Sequence, residues 1–237
     1  MEKVTYIAEL DADVDDIIAV QYLFDRGLLD YVVIDPFPSS KEGKERMQIL
    51  FDMGIEVKRS IKPETETVFI GGALTETARY LRKNKLKTIV MNGGFVGCNI
   101  RKDPLPKFKG KETVRTFNFN VNVEATNYIL KTSTDKLGQL ILVGKNVCHD
   151  KRNTGNGIWR DYIDLFKKYH SNETKLQHDM LACREGIEIL SGNLDNTYCE
   201  YAEVYPFNTG LNGNMTQWGS KTEPTEYRKV LAAIKFK

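Results

Sequence analysis

Short apolar runs recur along the chain, and most are followed by a segment whose apolar positions return every three or four residues. Residues 4–8 (VTYIA) predict a buried strand, and IIAVQYLF carries helical periodicity up to Gly27, a natural C-terminal stop. YVVID (31–35) predicts a second strand, and KEGKERMQILFDMG an amphipathic helix ending at Gly54. TVFIGG (67–72) is a strand leading into helical LTETARYLRKN, and KTIVMNGG is another strand. FNFNVNVEATNYILKT is expected to turn from an extended segment into a helix capped by Asn120 or Asn122, and LILVG is one further strand. This alternation, with short connections and glycine at strand exits, predicts an α/β fold: a mostly parallel, doubly wound sheet with helices on both faces. Ligands of such sheets sit beyond the carboxyl ends of the strands.

The last third changes character. GNGIWRDYIDLFKKYH and HDMLACREGIEIL read as helices, whereas TYCEYAEVYP and YRKVLAAIKF read as strands. The Asn, Gly, Thr and Pro between them suggest hairpins, hence a small antiparallel C-terminal extension. With no internal repeat, low-complexity stretch or composition shift, residues 1–237 read as a single domain.

Composition removes several function classes. Lys and Arg total 34 against 32 Asp and Glu, so the formal charge of +2 offers no electrostatic footprint for nucleic acid or an anionic membrane. No apolar stretch approaches the ~20 residues of a spanning helix, and Glu9 and Asp11 interrupt any signal-peptide pattern, so a cytoplasmic location is expected. Cys98, Cys148, Cys183 and Cys199 lack CxxC or zinc-ligand spacing and read as reduced thiols.

The segment IAELDADVDDIIAV places Glu9, Asp11, Asp13, Asp15 and Asp16 between the first strand and the first helix. Carboxylates so crowded repel one another unless a cation neutralises them or they point into bulk water, and hard oxygen ligands suit Ca²⁺ or Mg²⁺. The plainer alternative is that Asp13, Asp15 and Asp16 cap the helix and favour its positive end. An EF-hand loop counted from Asp11 fails, because its sixth and twelfth positions are Asp16 and Tyr22 rather than Gly and Glu. A haloacid-dehalogenase-like phosphatase shares only the Asp11-Ala12-Asp13 opening; the later strand exits offer Gly71-Gly72, Asn92-Gly93-Gly94 and Gly144-Lys145-Asn146 instead of a second acidic pair.

Further along, the segment resembles the DxDPGxDD opening of the calcium-dependent nucleoside hydrolases (inosine-uridine preferring nucleoside N-ribohydrolases), with Asp11, Asp15 and Asp16 on the last three acids and Glu9 and Asp13 replacing the first Asp and the Gly. GALTETA (72–78) is similar to GPLTNIA, MNGGFVGCN (91–99) to MGG…GN, and TFNFNVNVEAT (116–126) to EFNxxxDPEAA. NVCH (146–149) loosely resembles DVTH, and QHDMLA (177–182) resembles HDPLA. Six blocks in family order cover most of the chain.

The resemblance implies a nucleoside hydrolase-like fold and hydrolysis of the N-glycosidic bond of a ribonucleoside to free base and ribose. The transition state is oxocarbenium-like, so it needs an activated water, stabilisation of the departing base and groups that hold the sugar hydroxyls. By the resemblance Asp11 is metal ligand and general base, Asp16 and Asp179 are Ca²⁺ ligands, and Thr75 lends its carbonyl. Asp15 holds a ribose hydroxyl alongside Asp179, Asn118 binds the 2′/3′ side, Asn99 the 5′ end, and His178 is the leaving-group acid. The plainer readings stand beside these: His178 and Asp179 begin a helix, Thr75 opens another, and Asn118 faces solvent. The implied partner is a small nucleoside or riboside, and the implied assembly a homodimer or homotetramer.

The chain also departs from the pattern. The family's Glu in EFN is Thr116, which removes an acceptor for the 5′-hydroxyl, while Arg115 adjoins it and Lys145 lies at the next strand exit. A 5′-phosphorylated or otherwise 5′-substituted substrate is therefore one alternative, and a catalytically weak ribose- or nucleotide-binding protein of the same fold another. The second strand exits into DPFPSS rather than Gly-Asn, and the stretch from Ile55 to Val68 is too short for a base-covering loop, so base preference is not legible.

Overall fold

The computed structural model describes residues 2–10, 14–34, 36–95, 104–111, 114, 116–193, 197–203 and 229–236. Strand β1 (Val4–Ala8) is followed by α1 (Asp15–Asp25), β2 (Leu29–Ile34), α2 (Lys41–Asp52) and the short β3 (Val57–Lys58). Next come β4 (Thr67–Ile70), α3 (Thr75–Leu81), β5 (Leu86–Asn92), α4 (Phe117–Val121), α5 (Val123–Lys131) and β6 (Leu137–Val143). Helices α6 (Lys145–Cys148), α7 (Ile163–His170) and α8 (His178–Leu190) precede β7 (Thr197–Glu203) and β8 (Lys229–Phe236).

The strands order as β3-β2-β1-β4-β5-β6-β8-β7, and β1 to β6 are all parallel. Strand β8 joins β6 in parallel, and β7 pairs antiparallel with β8 at the outer edge, so both C-terminal strands continue the main sheet. The chain winds outward from β1 through β2 to β3, then returns to the other side of β1 as β4. Ligand crevices of open α/β sheets form at the carboxyl ends of the strands flanking such a reversal.

Because side chains alternate along a strand, a strand covered on both sides must be apolar at nearly every position. In β1, Val4, Tyr6 and Ala8 enter one core with α1, Leu50 of α2 and the first turns of α8; Ile7 enters a second core with α3 and α5. The same split occurs in β6, where Ile141 and Val143 face the first core and Leu140 and Leu142 the second. Two cores on opposite faces are what the continuous apolar runs require, and the doubly wound prediction holds.

Gly27 and Gly54 lie at φ +65° and +73°, ending α1 and α2 where the sequence places stops. The period-two pattern of FNFN misleads, because residues 117–121 form helix α4 rather than an extended segment. The alternation reflects two different anchors. Phe119 is fully buried against Gly93 and Gly94, worth about 2–3 kcal/mol, while Asn118 is held by backbone carbonyls. Asn122 then caps α5 by accepting from the Ala125 amide at 3.0 Å.

The helix expected from Gly155 starts at Ile163, preceded by turns and a 3-10 turn at Arg160–Tyr162. Asn153 bridges there between the Cys148 carbonyl, 3.0 Å away, and the Trp159 indole at 2.6 Å, an anchor that fixes the turns. Among the described residues no helix is long and apolar enough to cross a membrane. Cys148, Cys183 and Cys199 are free thiols, and Cys98 lies outside the described residues.

Candidate functional site

The carboxyl ends of β1, β4, β5 and β6 open into a cleft of about 350 Å³, within the ~300–1,000 Å³ of small-molecule sites. Glu9, Asp15 and Asp16 line it from the first unit and Gly71 from the β4 exit. Asn92 and Gly93 follow β5, Thr116 to Asn118 open α4, and Lys145, Cys148 and His149 belong to the α6 region. His178 and Asp179 start α8.

Asp15 and Asp16 occupy the first turn of α1, at its positive end, without capping it. The N-cap position is Val14, with no side-chain cap, and both acids are buried. Asp16 accepts from the Tyr6 hydroxyl at 2.7 Å and from the Glu9 amide at 3.1 Å. Burial pushes its carboxyl up to about 7, against the lowering effect of those two donors, with Asp15 and Glu9 adding repulsion. Burial, then Asp16 and Asp179, likewise drive the Tyr6 phenol well above its ordinary value. This approach is close because residue 71 is glycine: a Cβ there would sit 2.0 Å from Asp16 Oδ1 and 2.1 Å from the Tyr6 oxygen.

Asp15 Oδ1 lies 3.2 Å from His170 Nε2 and 3.4 Å from Lys175 Nζ. Neither contact is aligned as a hydrogen bond, so this oxygen is buried close to an imidazole and an ammonium yet without a hydrogen-bond donor. Asp179, brought from a remote part of the sequence by packing of α8 on α1, accepts from Asn92 Nδ2 at 3.3 Å. Asn118 donates both amide hydrogens inward, to Gly71 O and Asn92 O at 2.9 Å each. It ties the exits of β4 and β5 together and leaves Oδ1 as the atom that could meet a substrate. We expect Asn118→Ala to cost about 1–3 kcal/mol in urea unfolding, because two carbonyls lose their donor. A loss below ~0.5 kcal/mol would show that the tie is idle.

Among the predicted site residues, Asp15, Asp16, Asn118, His178 and Asp179 converge on this one cleft. Thr75 does not line it; it opens α3, and its hydroxyl accepts from Asn122 Nδ2 at 3.0 Å. Asp11, Asp13, Asn99 and Arg115 lie outside the described residues. Sequence reasoning missed Tyr6, hidden inside an apolar run, and Asn92, one letter within MNGG. It also missed His149 and Lys107, whose ammonium contacts His149 Nδ1.

The donor set at the acidic end fits a hard cation: carboxylate oxygens crowded by burial, with Asp16 reluctant to ionise alone. Among the described residues, however, the set that brings three donor atoms within 4.8 Å of one another is Cys148, His149 and His178, a soft set. Burial holds the Cys148 thiol up at about 12 and lowers His178. His149 is driven down to about 3, chiefly by burial and then by His178, Lys145 and Lys107.

No family model matches the chain. It is similar to an uncharacterized protein of Aquifex aeolicus (strain VF5), 25% identical over 204 residues, which covers 80% of this chain and 64% of that protein's length. The chain thus spans less than two thirds of this relative.

Proposed function

We propose that the chain is an N-glycosidase of the nucleoside hydrolase type, cleaving the bond between ribose C1′ and the base of a riboside. The observation that carries this reading is the convergence of Asp15 and Asp16 from the first unit, Asn118 from α4 and Asp179 from α8 on one cleft. These are the family-like blocks, and they are remote in sequence. The buried Asp15 Oδ1 without a hydrogen-bond donor suits a sugar hydroxyl, which would supply one. Asn118 Oδ1 can accept a second. Phe117, 55% exposed and lining the cleft, offers an aromatic face to a base.

A divalent calcium ion, when bound, would orient and acidify water and hold sugar hydroxyls; Asp16 and Asp179 would hold it, with Asp11 as third ligand. As the C1′–N bond breaks, a water oxygen bonds to C1′ and Asp11 takes the water's proton. His178 carries a proton to the leaving nitrogen, and its buried Nε2, without a hydrogen-bond partner, faces no internal competitor for that task. Burial depresses His178, so at neutral pH it must take up that proton before each turnover.

The test is a screen of purine, pyrimidine and nicotinamide ribosides for released base, in millimolar Ca²⁺ and in chelator. Calcium-dependent base release is expected. Ribose binding with no base released from any riboside would favour a binding protein, and phosphate release from phosphomonoesters alone would favour a phosphatase.

A further inference from the structure

The part of the cleft lined by Lys145 and His149 is basic, Lys107 reaches His149 from outside that lining, and the hydrogen bonding of the group does not close. Lys107 Nζ meets His149 Nδ1, and Lys145 Nζ lies 3.4 Å from His149 Nε2. The Phe108 ring stacks edge-on against the same imidazole at 5.4 Å, and the His178 ring lies 4.9 Å from it. A neutral imidazole has one acceptor nitrogen, whereas an ammonium only donates. One of the two lysine contacts is therefore donor against donor. Among the described residues neither lysine is paired with a carboxylate; burial lowers both, Lys145 further lowers Lys107, and the two add to the burial and His178 effects that lower His149.

This arrangement is not accidental crowding at a loose surface. Lys145 is placed by its own amide, which donates to Gly94 O at 3.1 Å, and by Gly144, whose Cβ would strike that carbonyl at 2.5 Å. On the same cleft, Thr116 is 2% exposed and its hydroxyl has no hydrogen-bond partner. Lys145 and Thr116 thus bring polar groups without a matched acceptor to the same cleft.

We infer that this basic wall is a phosphate subsite, so that the riboside bound in the cleft is a phosphorylated one. The inference rests on the riboside reading above and supplies its substrate class. A phosphate oxygen between Lys107, Lys145 and His149 would give each donor an acceptor and relieve the opposed pair. The cleft then holds both ends of one molecule: the sugar hydroxyls at the carboxylates and the phosphate at the lysines. A soft metal on Cys148, His149 and His178 is the competing occupant, but both ring nitrogens of His149 already face ammonium groups, so a cation must displace a lysine.

Calorimetric titration with ribose, ribose 5-phosphate and inorganic phosphate tests this, alongside base release from nucleosides and their 5′-monophosphates. Ribose 5-phosphate should bind about 10- to 100-fold more tightly than ribose. Lys145→Met should collapse that margin. Lys107→Met should do the same and keeps the test open if the first variant misfolds, since Lys107 is exposed. Base release from nucleosides with no preference for monophosphates would overturn the inference and leave the hydrolase reading intact. Lysine-dependent binding of ribose 5-phosphate with no base released from any compound would support the subsite while removing the hydrolase reading. Inorganic phosphate binding as tightly as ribose 5-phosphate would overturn the riboside assignment. Stoichiometric Zn²⁺ binding that survives Lys107→Met and vanishes in Cys148→Ser would overturn the subsite altogether.

Discussion

Gly71→Ala is expected to destabilise the protein by about 3 kcal/mol and to destroy ligand binding with it. The added methyl would lie 2.0 Å from Asp16 Oδ1 and 2.1 Å from the Tyr6 hydroxyl, far inside contact distance. Neither obstacle is the free end of a flexible side chain. Tyr6 is locked in the core, and Asp16 is held by Tyr6 and by the Glu9 amide. The methyl must therefore break the Tyr6–Asp16 hydrogen bond or push β4 away from β1. Gly27→Ala provides the contrast. That residue has φ +65° and nothing within 4 Å, so its cost is backbone strain alone, about 1 kcal/mol, with the cleft untouched. Urea unfolding and ribose titration of both variants decide the matter. If Gly71→Ala is no worse than Gly27→Ala, the close approach at the β4 exit has no energetic role.

Asp16→Asn should behave in the opposite sense for stability and abolish turnover. The folded carboxyl sits near 7 against an ordinary 3.8, mainly through burial, so the folded chain holds this proton where the unfolded chain has lost it. Its contribution to stability is full below about pH 4 and is lost as pH rises through 7. In metal-free protein that loss is on the order of 2–4 kcal/mol. Asparagine does not ionise, can still accept from the Glu9 amide, and can donate to the Tyr6 oxygen. The variant should thus unfold at a higher temperature than wild type at pH 8 in chelator, with the gap shrinking by pH 4.5. Added Ca²⁺ should raise the wild type and leave the variant unmoved. Comparing the two chains at each pH cancels the other carboxylates. An asparagine variant less stable at pH 8, or one that still gains from Ca²⁺, would contradict both the burial argument and the ligand role.

Much of the sheet was legible because a strand covered on both sides is apolar along its buried stretch, as in β1, β2, β4, β5 and β6, where the charged Asp30 and Lys87 fall at exposed positions near strand starts. Helix α4 was not, since a period of two in four letters cannot distinguish a strand from one helical turn whose Phe119 and Asn118 answer to different neighbours. The acids were legible as a cluster because charge crowding is a local property. Their partners were not. Tyr6 reads as one more apolar strand residue, and the Asn92 amide matters only once α8 delivers Asp179. Of the basic group only Lys145 was legible, as a cation at a strand exit; Lys107 and His149 join it through a shared ring rather than through spacing. Thr75 is not among the residues lining the cleft, and its hydroxyl is taken by Asn122.

The packing of α8 on α1 has a consequence for how the cleft comes into being. Asp16 and Asp179 are far apart in sequence, so bringing them together closes a loop that contains β2 to β6. Such long-range closures are slow and come after local pairing. During synthesis β1 to β6 emerge first, with the acids of α1 already in place but without Asp179 and His178. The cleft is thus finished only once α8 docks, after β1 to β6 and before β8 and β7 complete the sheet edge, and an excursion of α8 would dismantle it while the pairing of β1 to β6 persists. On the function proposed above, a ligand bridging Asp16 and Asp179 would latch α8 onto the sheet.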